Sequence, residues 1–152
     1  MKICIVYDTK RQRGATVHIV QWMLEELKKM SINADAKRVD EVDSFDYDVF
    51  IVGSPIYYEK PMKSVVDFLQ KNKDKLSSKK VAVFIVCLAT SLGKLASWYV
   101  KRRYLKLLEK SAGRSLVKSG VFKGWIRKPN YSERERVIKW IRKLISSIYA
   151  RN

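Results

Sequence analysis

Apolar residues fall along the chain in two alternating rhythms. The runs "KICIVY", "VFIVG" and "VAVFIVCL" are continuous, whereas between them apolar positions recur at intervals of three and four. Continuous runs rich in Val and Ile suit strands covered on both faces, and the three-to-four spacing suits helices with one buried stripe. The pattern predicts strands over Lys2–Tyr7, Asn33–Arg38, Val49–Gly53, Val81–Leu88 and Leu116–Phe122. It predicts helices over Thr16–Met30, Met62–Asn72, Leu95–Lys110 and Ser132–Ala150. Strands alternating with helices imply a doubly wound α/β fold, a parallel sheet with helices on both faces.

The helices carry their stripes in detail. Met62, Val65, Val66 and Leu69 make the second, with Pro61 where a first-turn proline is tolerated. Val137, Ile138, Ile141, Leu144, Ile145 and Ile148 make the last, and "SERE" at Ser132–Glu135 fits a capping box. Its opposite face holds Arg134, Arg136, Lys139, Arg142 and Lys143, either a solvated face or a surface for an anionic membrane or acidic partner. Pro129 and Asn130 mark the connection Lys123–Tyr131 as a turn.

Composition narrows the class. With 152 residues, residues 1–152 read as one domain, and 47% hydrophobic with 11% aromatic content argues against disorder. The longest apolar runs are too short to span a bilayer, and the amino terminus enters a strand pattern at once, so a cytoplasmic protein is expected. Cys4 and Cys87 lie in strand runs without metal-ligand spacing and read as buried thiols. The net charge of +17 is uneven: residues 1–50 carry −1 and residues 51–152 carry +18. Such a field draws anions of any kind, nucleic acid, acidic lipid or carboxylate-bearing substrate.

For five strands in the order 2-1-3-4-5, ligands bind at the loops after strands one, three and four. The first loop, "DTKRQRGAT", offers the hydroxyls of Thr9 and Thr16, a close backbone approach at Gly14, and the amides that open the following helix. Arg11 and Arg13 add charge there. It reads as a phosphate cradle or as an ordinary surface loop capped by Thr16. The second, "GSPIYYEKP", leaves a strand through Ser54 and Pro55 and then presents Ile56, Tyr57 and Tyr58. The tyrosines can stack on a flat heterocycle or pack against a helix. The third, "CLATSLGK", brings Thr90, Ser91 and Gly93, small polar groups able to hydrogen-bond the edge of such a ring.

The order of these motifs, Y-x-T…G-x-T after the first strand, "VFIVGSPIYYEKPMKSVVDFLQKN" and "KKVAVFIVCLA", resembles the flavodoxin superfamily. Within it the chain is similar to the flavodoxin-domain proteins that include menaquinone-dependent protoporphyrinogen oxidase. The match covers about residues 1–90 well, with "GSPIY…F" followed by "VAVFIVCLA" as its specific part, and is loose beyond 95. The resemblance implies a flavodoxin-like, doubly wound five-stranded parallel sheet, order 2-1-3-4-5. It also implies bound FMN, with Thr9, Gly14, Ala15 and Thr16 on its phosphate, Ser54–Tyr58 beside its ring and Leu88–Ser91 along the other edge. A porphyrinogen substrate, a quinone or other electron acceptor and peripheral contact with an anionic membrane follow from it as expected partners. One departure stands out: the family loop reads Thr-x-x-Gly-x-Thr, whereas four residues separate Thr9 from Gly14 here. Arg11 and Arg13 in this longer loop would favour a dianion.

Rival chemistries lack their residues. A phospho-acceptor domain needs an aspartate where Gly53 and Ser54 stand, a low-molecular-weight phosphatase needs a cysteine where Asp8 and Thr9 stand, and no GK[ST] follows the loop glycine. His18, the single histidine, is placed on the first helix and gives nucleophilic catalysis no support. An electron-carrier flavodoxin would be expected to be acidic around its flavin, unlike this basic chain. The alternative from another class is a shell without FMN whose basic surface binds nucleic acid or an acidic partner. Trp98, Tyr99, Lys101, Arg102, Arg103 and Tyr104 interleave aromatics with cations as such a surface would. On a helix, Trp98 and Leu105 would instead pack while Lys101 and Arg102 rim them.

Overall fold

A computed structural model describes residues 1–88, 95, 98, 99 and 101–151. Its elements are β1 (Lys2–Tyr7), α1 (Ala15–Lys29), β2 (Asn33–Arg38), β3 (Val49–Tyr57), a short β4 (Lys60–Pro61), α2 (Lys63–Lys71) and α3 (Lys73–Leu76). β5 (Lys80–Cys87), α4 (Lys106–Ala112), β6 (Leu116–Lys123) and α5 (Ser132–Ala150) complete it. The long strands lie in the order β2-β1-β3-β5-β6, all parallel, which is the five-stranded flavodoxin-like arrangement expected.

Alternation along each strand divides the core in two. Ile3, Ile5, Ile51, Phe84 and Phe122 face α1 and α5, while Cys4, Val6, Phe50, Val83 and Ile85 face α2 and α4. Both faces are covered, which is why the strands read as unbroken apolar runs. Both thiols are buried, and burial pushes the Cys4 thiol up to about 11. Two glycines admit aromatic rings into this packing. A Cβ on Gly53 would lie 2.0 Å from Phe84 Cζ, and one on Gly120 would lie 2.7 Å from Trp140 Nε1. The Trp140 indole thereby reaches the sheet and donates to Ser119 O at 2.8 Å.

Several local expectations are corrected. β3 runs on past Gly53 to Tyr57, because β5 pairs with it as far as Pro55. β1 ends opposite Gly53, so Pro55 needs no donor on that side. Pro61 belongs to β4, paired with Ile56, and Met62 rather than Pro61 precedes α2. The capping box does not form: Tyr131 is the cap, and the Ser132 hydroxyl donates to Asn130 Oδ1 at 2.5 Å. Of the helix expected over 95–110, residues 89–94 before it and 96, 97 and 100 within it lie outside the described residues. A wide turn at Lys101–Leu105 then leads into α4. Leu105 is buried as expected, but Trp98 is 58% exposed, with the Arg102 guanidinium 5.2 Å above its ring.

The basic face of α5 is not simply solvated. Arg134 pairs with Glu25, Arg136 with Glu133, and Arg142 reaches the buried Glu26 at 2.6 Å. Glu133, itself buried, also accepts the Lys123 amide at 2.5 Å and so ties α5 to the end of β6. Among the described residues no helix is long and apolar enough to cross a membrane.

Candidate functional site

All parallel strands end on one side of the molecule, and the segments leaving β1, β3, β5 and β6 meet there around a cleft of about 200 Å³. Its floor at one end is the amino terminus of α1. Gly14 caps that helix in extended conformation without a side-chain bond, and no acidic residue occupies the first turn. The first amides of the helix therefore have no partner within it, and the positive end of its dipole is uncompensated. Gly14, Ala15 and Thr16 line the cleft here, with Thr16 inside the helix rather than capping it.

The longer loop turns back on itself. Arg11 folds over Gly14, so that a Cβ on Gly14 would stand 3.1 Å from Arg11 Cβ, and Arg11 lines the cleft. The Arg11 amide donates to Thr9 Oγ1 at 3.2 Å, and that hydroxyl is 3.2 Å from the Tyr57 hydroxyl, which also accepts the Lys10 amide at 3.3 Å. Arg38, at the end of β2, donates to Thr9 O at 3.2 Å and pairs with Asp8. The Asp8 carboxylate also accepts the Ser64 hydroxyl at 2.6 Å. Elements on both sides of the loop thus hold it, which an unattached surface loop would lack.

The remaining walls are apolar. Pro55, Ile56 and Tyr57 come from β3, Val86 and Leu88 from β5 and the residue beyond it, and Gly124, Trp125 and Ile126 from the connection after β6. Tyr57 is held in place by a tight turn at Tyr58–Glu59, where both residues have positive φ, 51° and 63°. That is the backbone of a two-residue hairpin loop normally given to Asn and Gly. Trp125 stands on an aromatic support: its ring is 5.5 Å from Trp22 and 5.7 Å from His18. The His18 ring bonds Gly14 O through Nδ1 at 3.0 Å, linking the helix start to the Trp125 wall.

Of the residues expected at the site, Thr9, Arg11, Gly14, Ala15, Thr16, Pro55, Ile56, Tyr57 and Leu88 line this cleft together. Ser54 does not; it is fully buried, its hydroxyl donating to Pro55 O and accepting the Met62 amide, both at 2.8 Å. Arg13 is not among the lining residues, and Tyr58 is 91% exposed at the hairpin tip. Ala89, Thr90 and Ser91 lie outside the described residues. Val86, Gly124, Trp125 and Ile126 are additions. Among the described residues no group of His, Cys, Asp and Glu is placed to hold a metal ion.

Comparison with known proteins agrees with the fold. The model of the flavodoxin domain family matches residues 4–147. Over 148 residues the chain is 28% identical to protoporphyrinogen IX dehydrogenase (quinone) of Escherichia coli strain K12, covering 95% of this chain and 80% of that one. Among solved structures it is similar to a Fusobacterium nucleatum flavodoxin bound to flavin mononucleotide. There the TM-score is 0.67 at 16% identity, covering 95% of this chain and 97% of that one. The rubredoxin oxygen:oxidoreductase of Desulfovibrio gigas matches at TM-score 0.62 and 15% identity over 97% of this chain. The chain spans only 37% of that protein's length. At these identities the structural likenesses establish the fold.

Proposed function

The chain belongs to the flavodoxin-domain family, and on that premise we propose that it holds FMN in the cleft and works as an FMN-dependent oxidoreductase. The observation that carries this reading is the pairing of an uncompensated helix amino terminus with aromatic and apolar walls in one cleft. A phosphate and a flat heterocycle need those two environments side by side. The residues present fit the group. Gly14, Ala15 and Thr16 would receive the phosphate on backbone amides, with Arg11 adding a charged donor at its side. Thr9, already shared between Tyr57 and the Arg11 amide, would fix the loop and the Tyr57 ring relative to each other. Arg13, away from the cleft, would add attraction for anions without touching the phosphate.

Tyr57, Pro55, Ile56, Leu88, Trp125 and Ile126 would hold the ring and keep water from it. Ala89, Thr90 and Ser91 remain candidates for its polar edge. FMN bound here supplies the redox chemistry, taking electrons from a reduced substrate and yielding them to an acceptor. The side chains bind and orient; His18 acts by positioning Gly14 and Trp125, with its Nδ1 engaged on a carbonyl.

The most specific activity proposed is oxidation of a porphyrinogen with a quinone as acceptor, supported by the 28% identity to the Escherichia coli enzyme. The strongly basic carboxyl-terminal two-thirds of the chain suits a substrate bearing carboxylates. The test is anaerobic: FMN-loaded protein is mixed with protoporphyrinogen IX and a soluble quinone, and porphyrin fluorescence is followed. A rate at least ten times that of free FMN supports the activity. A rate no greater than free FMN, with the flavin still bound, contradicts it and leaves an electron carrier.

A further inference from the structure

The wall of the cleft that carries Trp125 and Ile126 is built on residues 124–130, which form neither helix nor strand. Such a segment has many backbone conformations to lose and needs fixed ends to keep one of them. It leaves β6, the last strand of the sheet, whose outer backbone groups have no strand beside them. Side chains of α5 take that place at alternate positions. Trp140 Nε1 donates to Ser119 O at 2.8 Å, Arg136 Nη2 donates to Val121 O at 3.3 Å, and the Glu133 carboxylate accepts the Lys123 amide at 2.5 Å.

Glu133 also grips the other end of the segment. Its own amide donates to Asn130 O at 3.0 Å in the turn that opens α5. One residue thereby closes 123–133 into a loop whose middle lines the cleft. The carboxylate is 2% exposed, and Arg136 donates to both of its oxygens, at 3.0 and 2.8 Å. A carboxylate so far out of water is stable only with such partners, and hydrogen bonds to its charge are stronger than those to a neutral amide. Within the loop the Gly124 amide donates to Cys87 O at 3.3 Å, and Trp125 rests on Trp22 and His18. The carboxylate sets where the segment starts and ends, and aromatic packing sets where its middle lies.

We propose that Glu133 is a positioning residue of the cleft: by holding both ends of residues 124–130 it places the Trp125 wall, although it does not itself line the cleft. That the wall then shapes a flavin site rests on the function proposed above; that Glu133 fixes the wall does not.

The test compares Glu133→Gln with Glu26→Gln. Both replace a carboxylate that is 2% exposed and paired with an arginine of α5, but Glu26 lies near the far end of α1, away from the cleft. General loosening from the loss of a buried charge is common to the two variants, whereas release of the segment belongs to Glu133→Gln alone. Each folded variant, verified by circular dichroism, is digested briefly with trypsin, and cleavage at the Lys123–Gly124 bond is followed by mass spectrometry. Apo-protein of each is titrated with FMN in parallel. Glu133→Gln is expected to speed that cleavage at least tenfold and to weaken FMN at least fivefold, with changes under twofold in Glu26→Gln. Cleavage unchanged, or raised equally in both variants, overturns the proposal, as does faster cleavage with FMN affinity intact. If FMN fails to bind even the unaltered protein, the flavin reading falls, while the cleavage rates still decide the role of Glu133. Should Glu133→Gln not fold, Arg136→Gln removes the charged partner of the carboxylate instead, and cleavage there less than threefold faster than in the unaltered protein overturns the proposal.

Discussion

Two arginines in one loop illustrate what a side chain's identity says and what its direction adds. Arg11 and Arg13 are equivalent in the sequence, but only Arg11 folds over Gly14 and lines the cleft. Arg11→Ala is expected to weaken FMN about tenfold, or about 1.4 kcal/mol, and Arg13→Ala less than twofold, both read by flavin-fluorescence titration. Ser54 shows the converse. A hydroxyl just past a buried strand looks available to a ligand, yet its hydrogen bonds to Pro55 O and from the Met62 amide turn it inward to anchor the hairpin. Trp125 was hidden for another reason. It follows the edge strand, and no local pattern says that its connection crosses back over the strand ends to reach the cleft; only its place in a turn-marked segment pointed to an irregular path.

Elements were more legible than side chains, because periodicity reports burial and both faces of this sheet are buried. Ile3 and Cys4 are adjacent in sequence yet enter different cores, and the alternation is visible along the whole of β1. Where geometry depends on a neighbour, the sequence was silent: β3 extends through Pro55 only because β5 reaches it while β1 has ended. Gly53 is another such case, legible as a small residue at a strand's end but not as the seat of a ring. Gly53→Ala would place a Cβ 2.0 Å from Phe84 Cζ in a fully buried layer. The expected cost is about 3 kcal/mol, seen as a fall of roughly 9 °C in thermal midpoint. Gly124→Ala, whose Cβ would meet Val86 at an ordinary 3.4 Å, should shift the midpoint by under about 2 °C and serves as the comparison.

At the scale of the whole molecule, charge and fold carry separate information. The sheet and its helices are encoded by apolar spacing and make the chain a flavodoxin-domain protein; the charge of +17 says which ligands and surfaces it attracts. Much of the basic face of α5 is spent internally, through the pairs of Arg134, Arg136 and Arg142, so net charge overstates what a partner meets there. Around the cleft the cations have few carboxylates beside them. Both properties meet in one measurement: titration of the apo-protein with FMN, by quenching of flavin fluorescence, at low and at moderate salt. One-to-one binding that weakens less than tenfold between the two salts is predicted, because helix amides and enclosed apolar walls are screened little. Absence of saturable binding, or binding abolished by moderate salt, would contradict the site as described and leave the cleft without its flavin.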